Sequence, residues 1–190
     1  MNTIQQAIEI LKKGGVGIFP TDTAFAIGCR VDDEKAVKRL FSIKNRSAQQ
    51  AVPILVRDIE MAIRYGKIDE KVQNLLKQFW PGALTVIVPK VESKISSLVL
   101  GMRDTVGIRQ PNHDICLQLI NEVGVPLIGT SANFHGKQTP YKTEDIDPEF
   151  AKVVDFVLPG ICQVGLASTI VDTTEEPWKI LRQGTVKIGI

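Results

Sequence analysis

Val16–Phe19 is a short apolar run that passes without a break into Pro20-Thr21-Asp22-Thr23. A run of this length, closed by a proline, is best read as a buried strand. Its far end is crowded with hydroxyls and carries one carboxylate. About one helix later, Lys44 and Arg46 stand two residues apart. A strand end with hydroxyls near fixed cations suits a small anionic ligand, which points to an enzyme rather than a passive module.

The rest of the chain repeats that grammar. Thr3-x-x-Gln6 has the form of a capping box, and Ile4, Ala7, Ile8 and Leu11 share one helical face ahead of Gly14. Asp33 can cap a second helix with Ala36, Val37, Leu40 and Phe41 turned inward. Helical patterns follow over Asp58–Tyr65 and Asp69–Phe79, broken at Gly66, and over His113–Val123, ended by Gly124. Strands are expected at Val52–Val56, Leu84–Val88, Thr105–Arg109, Val125–Gly129, Asp155–Leu158, Ser168–Asp172 and Trp178–Leu181. Val91–Asp104 is expected to be an exposed connection, and Phe134–Asp147 a polar loop. Strands and helices that interleave in this way predict an α/β fold, an open mixed sheet with flanking helices, formed as a single domain over residues 1–190. Ligands of such sheets gather beyond strand ends. Thr21-Asp22-Thr23, Arg109-Gln110-Pro111 and Thr130-Ser131-Ala132-Asn133 all follow expected strands.

Composition narrows the chemistry. A net charge of +2 excludes a polycation, although Lys35, Lys38, Arg39, Lys44 and Arg46 fall close together. The first three read as a solvated helix face. Cys29, Cys116 and Cys162 are odd in number and far apart, which argues against a disulfide framework or a zinc site and places the protein in a reducing cytoplasm. No apolar run approaches the ~20 residues of a membrane span, and the N-terminal stretch lacks the pattern of a secretory signal. His113 and His135, the only histidines, stand in no metal motif. The phosphate loop of P-loop proteins, the G-x-G-x-x-G fingerprint and G-x-S-x-G are all absent, so a nucleotide site here needs another design. From the residues themselves, Lys44 and Arg46 are candidate anion ligands. Thr130–Asn133 can offer hydroxyls, an amide and main-chain N–H groups, with an ordinary hydrogen-bonded turn as the competing reading.

Seven segments, in order, resemble the YrdC-like threonylcarbamoyl-AMP synthases (the TsaC family): FPTDTAFAIG at 19–28, IKNR at 43–46, FWPGALTVIV at 79–88, VGIRQP at 106–111, TSAN at 130–133, STIVD at 168–172 and ILRQG at 180–184. The resemblance covers nearly the whole chain and is closest to the short form without a further C-terminal domain. It implies a twisted sheet with a large concave cleft. It also implies a nucleotidyltransferase that converts L-threonine, bicarbonate and ATP into threonylcarbamoyladenylate and diphosphate, with Mg2+ accompanying the ATP. Partner proteins would then move the threonylcarbamoyl group to tRNAs reading ANN codons. Position by position, the resemblance places Thr23, Arg109, Ser131 and Ser168 around threonine, with Arg109 on its carboxylate. It places Lys44, Arg46, Asn133 and Arg182 on the phosphates, and Gln50 and Thr105 on the nucleotide side. Asp22 is a metal-ligand candidate that reads more simply as a turn-stabilising residue. Three departures stand out: Phe25-Ala26-Ile27 where the family usually has Tyr-Gly-Leu, Asn45 and Ser47 in the usual Lys-Gly-Arg-Pro, and Ala167 where Pro is usual. Two other functions compete: a non-catalytic module binding tRNA or double-stranded RNA, and a related carbamoyl-adenylate enzyme with another amine substrate.

Overall fold

The structure is a computed structural model that describes residues 2–92, 95–134 and 136–189. His135 and part of the 91–104 connection (Ser93 and Lys94) therefore lie outside the described residues. The helices form where the sequence caps them. Helix α1 spans Ile4–Lys12, opened by the Thr3/Gln6 capping box (2.9 and 3.2 Å). Asp33, Asp58 and Asp69 each accept a backbone N–H at the start of α2 (Glu34–Ile43), α3 (Ile59–Ile63) and α4 (Glu70–Phe79). Helix α5 (Asp114–Val123) ends at Gly124, at φ +79°. His113 stands at its start, but its side chain makes no cap bond. A further helix, α6 (Pro148–Lys152), opens with Asp147 as cap and Pro148 in its first turn. That start signal was present in the sequence, but the polar character of 134–147 hid it.

The strands are β1 (Gly17–Pro20), β2 (Phe25–Gly28), β3 (Ile54–Leu55), β4 (Leu84–Pro89), β5 (Thr105–Arg109), β6 (Leu127–Ile128), β7 (Thr130–Ser131), β8 (Phe156–Val157), β9 (Thr169–Asp172) and β10 (Lys179–Arg182). The mixed α/β expectation holds, but the strands divide into two mixed sheets, ordered β7-β2-β1-β8 and β10-β9-β4-β5-β3-β6. Strand β2 was not expected. The sequence assigns no element to Phe25-Ala26-Ile27, yet the segment pairs antiparallel with β1 from Gly17↔Gly28 to Pro20↔Phe25. Pro20-Thr21-Asp22-Thr23 is therefore the tip of a hairpin. The 91–104 connection is also less exposed than its composition suggests. Val99 is 1 % exposed and Leu100 is buried, and the Val99 carbonyl accepts the Val52 N–H at 3.0 Å. One buried apolar cluster runs through both sheets, and α5 packs on β1 while α1 packs on α5 and β8.

The two sheets are joined where β6 passes into β7. Strand β6 pairs with β3 in the larger sheet, and β7 pairs with β2 in the smaller one; only Gly129 lies between them. The same stretch follows the continuation of β2, with the Ile128 N–H on the Cys29 carbonyl (2.9 Å) and the Val31 N–H on that of Pro126 (3.2 Å). At this crossing Gly28 leaves no room for a side chain. A Cβ there would lie 2.2 Å from the Ile128 carbonyl oxygen and 2.8 Å from the Phe19 ring. By contrast, a Cβ at Gly107 in β5 would meet its nearest neighbours at 3.6 Å or more. Gly28→Ala is therefore expected to lower the unfolding free energy by roughly 2–4 kcal/mol, and Gly107→Ala by less than about 1 kcal/mol. Urea denaturation of the two variants checks this; equal effects would contradict the close approach.

Candidate active site

The hairpin tip is held by its own hydroxyls. Thr21 Oγ1 donates to the Ala24 carbonyl (2.7 Å) and accepts from the Ala24 N–H (3.2 Å), with Thr23 Oγ1 3.2 Å away. This brings Asp22 and Thr23 against Arg109, which the last residue position of β5 delivers from the other sheet. The Arg109 guanidinium donates to Thr23 Oγ1 at 2.7 Å, to the Gly82 carbonyl at 3.0 Å and to Asp22 Oδ1. Asp22 is 2 % and Arg109 6 % exposed. The Trp80-Pro81-Gly82 turn earns its place here, since it presents the Gly82 carbonyl while Trp80 Nε1 donates to the Leu84 carbonyl (2.8 Å). Asp22 is thus the counter-ion of Arg109, in keeping with a structural role. Among the described residues no group of three or more His, Cys, Asp or Glu is arranged to hold a metal.

Lys44 caps the end of α2, and Asn45 turns the chain at φ +47° before Arg46. Asparagine tolerates the left-handed region better than most residues, so it serves where the family usually has glycine. Lys44 is buried, and its ammonium donates to the Ser131 carbonyl (2.7 Å), the Asn133 carbonyl and Asn133 Oδ1 (3.0 Å). The Phe150 ring centroid is 5.7 Å away. Asn133 Oδ1 also accepts from Ser131 Oγ (2.7 Å), while its amide N–H donates to the Lys137 carbonyl (2.5 Å). The 131–133 turn is therefore built around one cation. Arg46 is held by the carbonyls of Gln50 (2.9 Å) and Ala51 (2.8 Å). Burial pushes the Lys44 ammonium down to about 8, and the charge of Arg46 acts in the same direction.

The third cation comes from β10. Its pairing with β9 slips between Ile180 and Arg182, so that Arg182, not Leu181, stands opposite Ile170 on the cleft side. Arg182 donates to the Ser168 carbonyl (2.9 Å) and to Ser168 Oγ (3.0 Å). Gly184 lets the strand come this close, because a Cβ there would lie 2.2 Å from the Ala167 carbonyl oxygen.

These groups line two adjoining hollows. The larger, about 380 Å³, takes Thr23, Arg46, Arg109, Ser131, Ser168 and Arg182. The smaller, about 160 Å³, takes Lys44, Arg46, Gln50, Ser131 and Asn133. Arg46, Thr130 and Ser131 belong to both. Thr105 lines neither; it lies at the opposite end of β5 from Arg109, paired with Pro89. No Asp or Glu among the described residues lines either hollow, and Lys44, Arg46 and Arg182 form no ion pair with a described acid. The result is a cleft whose fixed charge is positive. Sequence reasoning missed Thr85, Thr139 and Tyr141, which also line the larger hollow. Thr85 sits inside a strand and the other two lie in the polar 134–147 segment, so no local pattern marked them. Burial pushes all three thiols up, Cys162 to about 11, so none offers a ready thiolate. The basic helix face is solvated as expected, with Lys38 on Glu34 (2.6 Å) and Arg39 on Asp155 (2.5 Å).

The family profile Sua5/YciO/YrdC, described as telomere recombination, matches residues 9–184. The chain belongs to the Sua5/YciO/YrdC family. A Bacillus subtilis relative named threonylcarbamoyl-AMP synthase is 35% identical over 188 residues, covering 96% of this chain and 54% of the relative. The crystal structure of Pyrococcus abyssi Sua5 complexed with L-threonine superimposes with a TM-score of 0.91 at 35% identity, covering 95% of this chain and 54% of that one. Escherichia coli YciO, another Sua5/YciO/YrdC structure, gives a TM-score of 0.87 at 28% identity, covering 97% of this chain and 90% of that one. The chain thus spans about half the length of the first two relatives. No helix among the described residues is long and apolar enough to cross a membrane.

Asp22→Asn leaves the buried Arg109 guanidinium without its counter-ion, and is expected to lower stability by about 3 kcal/mol, measured by denaturant unfolding. Lys44 gives a pH test. Its charge is complete well below pH 8 and is lost as pH rises through about 8, well below the ordinary lysine range. Calorimetric titration with sulfate, whose own charge is constant here, is expected to show affinity falling above about pH 8, with Lys44→Met flat over the same range.

Proposed function

We propose that the chain is an L-threonylcarbamoyladenylate synthase, a nucleotidyltransferase acting on L-threonine, bicarbonate and ATP. The observation that carries this reading is the convergence of Lys44, Arg46, Arg109 and Arg182 on two joined hollows with no lining acid among the described residues. The larger hollow is within the size range of small-molecule sites, and the smaller fits a phosphate group. The name of the B. subtilis relative and the L-threonine bound to P. abyssi Sua5 support the same substrates.

The reaction asks for positioning and for compensation of negative charge. The threonine amine adds bicarbonate with loss of water, giving a carbamate. A carbamate oxygen attacks the α-phosphorus of ATP, and diphosphate leaves. No protein nucleophile is needed. Arg109 is fixed through three of its five N–H bonds, which leaves two for a carboxylate. Thr23, Ser131 and Ser168 line the same hollow and supply hydroxyls around the amino acid. Arg46 bridges the hollows, so it faces both the reacting phosphate and the departing diphosphate; Arg182, Lys44 and Asn133 complete the cationic wall. Gln50 borders the phosphate end. Mg2+ would supply further charge neutralisation at the phosphates. With no carboxylate among the described residues lining either hollow, its ligands would be phosphate oxygens and water, as this hard cation accepts readily. The adenylate would pass to proteins that modify tRNA, in a cytoplasmic setting that accords with three free cysteines.

Purified protein given L-threonine, bicarbonate, ATP and Mg2+ is expected to release diphosphate only when threonine is present, with threonylcarbamoyladenylate identified by mass spectrometry. Arg46→Ala is expected to lose at least about 100-fold in turnover while keeping its unfolding midpoint. Release of diphosphate that ignores threonine, or none at all, would overturn the assignment. A different amine in place of threonine would appear as another product mass.

A further inference from the structure

Thr85 is a buried hydroxyl, 2 % exposed, on the second residue of β4, and it lines the larger hollow. Its Oγ1 lies 2.9 Å from Ser168 Oγ. Ser168 Oγ already accepts from the Arg182 guanidinium at 3.0 Å, and a guanidinium can only donate. The two possible directions of the Thr85–Ser168 bond differ in what else each hydroxyl can reach. If Ser168 donated to Thr85, the Thr85 proton would have to be met from the hollow, which Thr85 at 2 % exposed reaches less than Ser168 at 6 %, because among the described residues Thr85 Oγ1 has no other partner. A buried donor left unmade is costly. If Thr85 donates instead, both lone pairs of Ser168 are filled, one by Arg182 and one by Thr85. The only remaining capacity of Ser168 is its own O–H, and the open side of that oxygen is the hollow.

We propose that Thr85 is a positioning residue that makes Ser168 an obligate hydrogen-bond donor into the cleft. Ser168 then accepts nothing from a ligand. It takes an acceptor oxygen, of a carboxylate, carbamate or phosphate, and rejects an ammonium or hydroxyl donor at that point. The neighbouring Arg182 is gripped through the Ser168 carbonyl and Oγ together, so the pair forms one preset oxyanion ligand. The substrate identities rest on the proposed function; the direction of the hydrogen bond does not.

Wild type, Thr85→Val, Thr85→Ser, Ser168→Ala and the Thr85→Val/Ser168→Ala double variant are titrated separately with L-threonine, ATP and inorganic diphosphate. The ligand that Ser168→Ala weakens is the one read in the cycle. Thr85→Val is expected to weaken it about 3- to 10-fold and to raise KM more than it lowers kcat, with an unfolding midpoint close to wild type. Thr85→Ser restores binding, and Thr85→Val adds nothing on the Ser168→Ala background. Full affinity in Thr85→Val, or losses that add in the double variant, overturns the positioning role. If wild type takes up neither L-threonine nor ATP, the proposed function fails and the Thr85 role is decided on diphosphate. A wild type that binds none of the three overturns both.

Discussion

The cleft depends on one buried ion pair. Asp22 sits on a hairpin tip of the smaller sheet and Arg109 ends a central strand of the larger one; both are nearly sequestered from water. Each charge would be costly alone at that depth, and together they compel the two sheets to meet at this edge. Two neighbouring groups are set relative to that junction. Thr23 is placed because Arg109 donates to it, and the Trp80-Pro81-Gly82 turn because Gly82 accepts from the same guanidinium. The carboxylate is spent inside the wall, so the cleft keeps the positive charge of its other cations.

The same economy recurs at the other cations. Lys44, Arg46 and Arg182 are fastened by backbone carbonyls and hydroxyls, not by acids. Carbonyl dipoles orient a cation without neutralising it, which leaves a field for an anionic ligand in a site screened from bulk water. The cost falls on Lys44, whose burial lowers its proton affinity. Its three N–H donors hold the 131–133 turn, so the residue shapes the site as well as charging it.

Much of this was written locally. The capping box at Thr3 and Gln6, the aspartate caps and the apolar faces of α1, α2 and α5 stand where short-range chemistry puts them. The polar stretches after β1, β5 and β6 do converge. What was illegible depended on partners far away in sequence. Phe25–Gly28 is a strand only because β1 and β7 flank it. Val99 and Leu100 are buried only because the chain folds back on Val52. Thr105 belongs to the right strand, but four residues of extended chain carry it to the wrong end of it. Thr85 lies within the FWPGALTVIV segment but carried no signal of a site, since a threonine in a β-branched strand is what the strand itself favours.

The sequence alone determined helices α1 to α5 with their caps, most of the strands and the family, because these rest on neighbouring residues and on a long ordered set of short matches. The division into two sheets, the crossing at Gly28 and Ile128, the slip that turns Arg182 inward and the hydrogen bond between Thr85 and Ser168 belong to the tertiary structure. Each is a contact between residues at least twelve positions apart, and its energy exists only once the intervening chain has paid the entropy of closing on itself.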